Sequence, residues 1–180
     1  MMLSSFLKSP KQTGSIAQSS KFLTNEIIKK VEFKKSKCIV ELGPGLGTFT
    51  KHMLKKANPD AKVVCFEINE KFCNYLTKNF DDKRLVVINA GADEIRSNLE
   101  KFNIKKADCI ISGLPFRNFS NTEKKRILKE VKNSLSPDGR FILFQYTNSL
   151  SKMLKEHFDK VSRKFVPLNM PPSFVYVCGQ

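Results

Sequence analysis

Short apolar runs rich in branched residues alternate along this chain with longer amphipathic stretches, the pattern of an α/β fold with a mainly parallel sheet. The runs Cys38–Leu42, Lys62–Phe66, Arg84–Asn89, Ala107–Ser112 and Arg140–Tyr146 predict five strands. Apolar residues at helical spacing predict helices over 18–31, 48–57, 69–80, 93–102, 122–135 and 148–158. In the first helix these residues are Phe22, Leu23, Ile27, Ile28 and Val31, behind Ser19 or Ser20 as a cap. Asn58-Pro59-Asp60 stops the second helix, and Ser136-Pro137-Asp138-Gly139 reads as a turn before the fifth strand. Two last strands, over 160–166 and 173–178, flank Pro167–Pro172. A closing pair of strands after a βα series suggests an antiparallel addition at the sheet edge. Gly113–Ser120 has no clear period and reads as a loop.

Composition narrows the class. The 180 residues fit one domain with a core that needs no disulfide or structural metal. The net charge of +15 draws the protein towards polyanions, either nucleic acid or an anionic membrane surface. The alternative is a solubilising lysine coat, since the lysines are spread along the chain. Cys38, Cys65, Cys73, Cys109 and Cys178 form no CxxC pair; four of them fall in strand-like runs and read as buried reduced thiols, which points to a cytoplasmic location. His52 and His157 stand alone, so no metal site is expected. No apolar stretch is long enough to span a membrane, and the first residues are too short and too weakly apolar for a signal peptide. Leu3, Phe6 and Leu7 share one side of a helix, with Lys8 and Lys11 following, and read either as a small interfacial anchor or as a loosely ordered terminus.

The candidate chemistry begins where the first strand runs into Gly43-Pro44-Gly45-Leu46-Gly47 and a helix follows. Such a loop lets the backbone approach a ligand closely, and the helix start behind it offers unpaired N–H groups. Glu67, at the tip of the second strand, stands where an α/β sheet holds the hydroxyls of a ribose, with Ile68 beside it. The spacing Gly-x-Gly-x-Gly differs from the nicotinamide fingerprint Gly-x-Gly-x-x-Gly. Glu41, two residues before the first glycine, suits a ligand that carries an amino group. A phosphate-cradling P-loop is excluded because no Gly-Lys-Ser/Thr follows.

The run Glu41-Leu42-Gly43-Pro44-Gly45-Leu46-Gly47 resembles the cofactor motif of class I S-adenosylmethionine-dependent methyltransferases. The resemblance implies a Rossmann-like seven-stranded sheet, mainly parallel with an antiparallel last strand, with helices on both faces. It implies that Gly43, Gly45 and Gly47 form the loop, that Glu41 lies near the methionine amino end of S-adenosyl-L-methionine, and that Glu67 binds the ribose. Many members carry Asp-Ala near the adenine after the third strand; here the run is Asn89-Ala90-Gly91-Ala92-Asp93, which puts Gly91 and Ala92 there and leaves Asp93 to cap a helix.

The loop Ser112-Gly113-Leu114-Pro115-Phe116 is the acceptor candidate. Amino-methylating members carry Asp/Asn-Pro-Pro-aromatic or Asn-Leu-Pro-aromatic there, and Gly113 replaces the Asn. Gly14-Ser15-Ile16-Ala17-Gln18-Ser19-Ser20-Lys21-Phe22-Leu23 resembles the Gly-x-x-Ala-Pro-Ser-Ser-x-x-Leu segment of bacterial phospholipid N-methyltransferases, with Gln18 in place of Pro. Asn169-Met170-Pro171-Pro172-Ser173-Phe174-Val175-Tyr176 resembles that family too. This resemblance implies methylation of the amine head group of a phosphatidylethanolamine-like lipid by a monomer on the inner face of the membrane. Residues 1–35 would then be a helical lid or membrane-contact segment and residues 36–180 the methyltransferase domain. Carbonyls of Gly113 and Leu114 and hydroxyls of Ser112 and Tyr146 are candidate amine acceptors. Phe116 and Phe119 either wall the pocket or anchor the loop. The alternatives are an RNA adenine methyltransferase, a small-molecule methyltransferase, and a cofactor-binding domain without catalysis.

Overall fold

The computed structural model describes residues 20–180. Its seven strands are β1 (Cys38–Leu42), β2 (Lys62–Phe66), β3 (Leu85–Ile88), β4 (Ala107–Ser112), β5 (Leu135–Gln145), β6 (Lys160–Val166) and β7 (Ser173–Gly179). They form one sheet in the order β3-β2-β1-β4-β5-β7-β6. The first five run parallel, and β7 lies antiparallel between β5 and β6. The helices of the described residues are α1 (Lys21–Ile28), α2 (Thr48–Lys56), α3 (Glu70–Asn79), α4 (Ile95–Lys101), α5 (Asn121–Ser134) and α6 (Ser151–His157).

Strand alternation divides the core between the two faces of the sheet. Ile39, Val63, Cys65 and Ile111 meet α1 and α2 through Leu23, Ile27, Phe49 and Met53. Val40, Leu42, Ile110 and Phe141 meet α4, α5 and α6 through Ile95, Leu99, Ile127, Val131 and Leu154. Helices thus cover both faces, and β1, central in the sheet, is buried at every residue. All five cysteines are free and buried.

The elements depart from the sequence expectation in instructive places. The first helix spans 21–28 rather than 18–31; Ser20 Oγ accepts from Leu23 N, and Val31 is buried in the coil beyond. Ser136–Gly139 is a bulge within β5, since Leu135 already pairs with Ala107 and Arg140 with Cys109. Asp93 does not cap the next helix. Its carboxylate sits 3.0 Å from Arg126 of α5, and the residue before α4 is Glu94. Phe22, expected in the core, is 54% exposed. Leu3, Phe6, Leu7, Lys8, Lys11 and the run from Gly14 to Ser19 lie outside the described residues.

Candidate active site

The carboxyl ends of β1, β2, β3, β4 and β5 lie at one edge of the sheet, and the candidate residues gather there. Gly43, Gly45 and Gly47 all adopt positive φ, at 69°, 55° and 78°. At Gly47 a side chain is also barred by space, because a Cβ would come within 2.7 Å of the Phe80 ring. Gly43 N donates to Phe66 O at 2.9 Å, which ties the loop to β2.

The Glu67 carboxylate, buried beside this loop, accepts from Gly45 N at 3.2 Å and from Asn69 N at 2.9 Å. Burial raises its pKa, opposed by the hydrogen bonds of Asn69, Gly45 and Ile68 N–H groups. Asn89, at the end of β3, donates through Nδ2 to the Glu67 carbonyl at 2.9 Å. Gly91 N contacts Glu94 Oε1 at 3.4 Å, and Ala92 is buried alongside.

Glu41 points to the α2 side of the sheet and is fully buried. Thr50 Oγ1 donates to its Oε2 at 2.6 Å, and Cys65 Sγ lies 3.7 Å from the same oxygen. Its Oε1 has no hydrogen-bond partner. Burial pushes the carboxyl up to about 7; the Thr50 and Cys65 hydrogen bonds oppose this and the charge of Glu67 adds to it.

The candidate acceptor loop presses against the glycine loop. Gly113 N donates to Leu42 O at 2.9 Å, and a Cβ on Gly113 would lie 3.0 Å from Gly43 O. Ser112 Oγ accepts from Leu114 N at 3.2 Å. Gln145, the last residue of β5, donates through Nε2 to the Leu114 carbonyl at 3.1 Å. Tyr146 follows it, half-buried, with its hydroxyl pKa raised by burial and its ring edge-on to Phe144. Phe116 and Phe119 are both buried in the core and meet edge to face, 5.9 Å apart, so their rings anchor the loop.

The sequence reading missed Thr50, Asn89 and Gln145. Each left a signal. Asn89 and Gln145 are polar residues at the carboxyl ends of strands, where ligands of α/β sheets bind. Thr50 is a polar residue on the buried face of α2, between Phe49 and Met53. Among the described residues no group of His, Cys, Asp and Glu is arranged to hold a metal.

A glycine loop on β1, a carboxylate at the end of β2 and a reversed seventh strand define the class I methyltransferase fold. Solved structures agree: a SAM-dependent methyltransferase from Aquifex aeolicus superposes with a TM-score of 0.69 at 15% identity, covering 94% of this chain and 97% of that one. The precorrin-6y C5,15-methyltransferase of Geobacter metallireducens gives 0.68 at 15% identity, over 88% and 87%. Residues 8–160 match the ribosomal RNA adenine dimethylase family, and the chain belongs to it. It is an S-adenosyl-L-methionine-dependent methyltransferase. An ornithine lipid N-methyltransferase of Singulisphaera acidiphila is 27% identical over 99% of this chain and 94% of its own length. A ribosomal RNA small subunit methyltransferase A of Mesomycoplasma hyopneumoniae is 29% identical over 87% of this chain, which spans only 60% of that protein.

Proposed function

We propose that this enzyme methylates the amine head group of a phospholipid-like acceptor. The observation that carries this reading is Gly113. Methylation of a planar, weakly nucleophilic adenine amine calls for a side-chain acceptor at this position, and here the backbone is packed so closely on Gly43 O that a Cβ would crowd it. An aliphatic amine is a stronger nucleophile and needs only carbonyl acceptors. The match to the ornithine lipid N-methyltransferase over 94% of that protein supports the reading, as the ribosomal RNA methyltransferase is matched over a smaller part of its length.

The residues present fit the cofactor. The unpartnered Glu41 Oε1 is a buried acceptor suited to an ammonium group, and the side-chain-free loop at Gly43, Gly45 and Gly47 is the cradle. In this reading Glu67 holds the ribose hydroxyls and Ile68, Gly91 and Ala92 border the adenine. When bound, S-adenosyl-L-methionine supplies an electrophilic methyl group on sulfur.

The carbonyl of Gly113 accepts a hydrogen of the acceptor amine and orients its lone pair, while the Leu114 carbonyl, already taken by Phe116 N at 2.9 Å and Gln145 Nε2 at 3.1 Å, shapes the loop beside it. Gln145 fixes the Leu114 carbonyl, and Ser112 Oγ braces the turn. Tyr146, next after Gln145, is the further candidate to offer a hydroxyl to the amine. An alkylammonium has a pKa near that of lysine, about 10.4, so removal from water at this edge favours the neutral, attacking form. Positioning is then the main work of the protein.

α1 packs into the core, and Ser20 N meets Asn169 Oδ1 at 3.3 Å at the carboxyl edge. The described part of the proposed covering segment, from Ser20 on, starts at this edge. Among the described residues no helix is long and apolar enough to cross a membrane, and the proposed position on the membrane is peripheral.

The test is methyl transfer from labelled cofactor to phosphatidylethanolamine in detergent, to a small-subunit ribosomal RNA fragment and to ethanolamine. Label in the lipid is expected. Label confined to the RNA would overturn the acceptor assignment.

A further inference from the structure

The turn between β6 and β7 is built inside out. Its polar residue, Asn169, is buried; Nδ2 donates to Pro171 O at 2.7 Å and to Ser173 Oγ at 2.8 Å, and Oδ1 accepts from Ser20 N. The apolar residues on either side point away from the protein: Leu168 is 65% exposed and Met170 89%. A turn held from within by an asparagine, with its apolar side chains presented to solvent, gains nothing for the fold from those side chains. Phe22 at the start of α1 and Phe165 near the end of β6 extend the apolar surface at 54% and 51% exposure. Between them lies an open cleft of about 230 Å³, lined also by Val166 and Pro167.

The surroundings are cationic. Lys21, Lys29, Arg163 and Lys164 are exposed around this surface, against Glu26, which pairs with Lys29 and Lys164. The surface also lies close to the candidate site. Gln145 pairs with Phe174, and Phe174 pairs with Phe165 on the next strand. Two strand spacings put Phe165 roughly 10 Å from the residue that holds the Leu114 carbonyl.

Protruding apolar side chains ringed by lysine and arginine match a bilayer with anionic head groups. A second copy of the chain fits less well. β6 is an edge strand, and its charges at Lys160, Arg163 and Lys164 disfavour strand pairing with another copy.

We infer that the β6–β7 turn, with Leu168 and Met170 at its tip and Phe22 and Phe165 behind it, is the face that the protein lays on an anionic lipid surface. Docking there turns the carboxyl edge of the sheet towards the head groups, so that a lipid amine enters without leaving the bilayer. That purpose rests on the lipid-amine reading, whereas the docking itself is measured without it.

The experiment is sedimentation of the full chain with vesicles of phosphatidylcholine and phosphatidylglycerol, which contain no amine acceptor. The wild type binds, more weakly as salt is raised. The double variant Leu168→Ser/Met170→Ser binds at least about tenfold more weakly, with cofactor affinity unchanged by titration calorimetry. Failure of the wild type to bind these vesicles overturns the proposal. So does equal binding by the double variant, or a variant whose only change is loss of a dimer in gel filtration. Docking that persists in a protein that methylates only RNA would retire the acceptor assignment and leave this face standing.

Discussion

Glu41 is the residue whose chemistry is most altered by the fold. A carboxyl with an ordinary value of 4.5 is moved to about 7 by complete burial. The folded state therefore holds this proton more tightly than the unfolded chain does. Its contribution to stability is full below the unfolded value and declines as the pH rises to about 7, by on the order of 3 kcal/mol. Scanning calorimetry of the cofactor-free protein should show a lower melting temperature at pH 7.5 than at pH 5, with a smaller difference in Glu41→Gln. An unchanged pH slope in that variant would remove Glu41 as the cause. If Glu41 also meets an ammonium group of the cofactor, binding favours the carboxylate. Cofactor affinity should then rise with pH between 6 and 7 in the wild type and stay flat in Glu41→Gln, read by titration calorimetry.

The second helix, α2, carries the glycine loop at its start, so whatever fixes α2 fixes the site. At its other end the Arg84 guanidinium donates to Leu54 O at 2.5 Å and to Ala57 O at 2.7 Å, and it pairs with Asp82 at 2.7 Å. A cation on the last carbonyls satisfies acceptors that the helix cannot and complements its dipole. Asp82 is held near 2 chiefly by its hydrogen bond from Arg84. Arg84→Ala should destabilise the protein by about 2 kcal/mol in urea unfolding, and Arg84→Lys should recover only part of that because the forked geometry is lost. Full recovery by lysine would show that charge alone matters there. The capping box of α5, where Ser120 and Glu123 satisfy each other's backbone groups, is a similar device at the end of the acceptor loop.

At the scale of the whole molecule, the sheet edge brings together residues from five strand ends, and a cofactor bound at this proposed site stabilises everything that holds the edge in place. At a hundred times its dissociation constant, S-adenosyl-L-methionine should add about 2.7 kcal/mol to folding. For a domain of this size that raises the melting temperature by roughly 5–10 °C. A thermal shift series against cofactor concentration checks this, and no shift at saturating cofactor would contradict the site. The lysines behind the net charge of +15 are spread along the chain, and the proposed docking face at Leu168 and Met170 gives that charge a place to act.

Periodicity alone separated strands from helices, because alternation and helical spacing are local properties of the chain. The glycine loop and Glu67 were legible for the same reason, since each sits at a strand end whose position the pattern marks. Pairing partners were not legible. That β7 inserts between β5 and β6, that Ser136–Gly139 bulges within a strand, and that Asp93 reaches Arg126 are decided by contacts between distant residues. The same holds for Thr50 on Glu41, Gln145 on the Leu114 carbonyl and the burial of Phe116, which only packing assigns to the core. The sequence by itself determined the class of fold and the methyl donor, through short motifs whose geometry is local. The tertiary structure decided the upward shift of the Glu41 carboxyl, the shape of the candidate acceptor loop and the exposed face beside it, because burial and charge proximity exist only once the chain is folded.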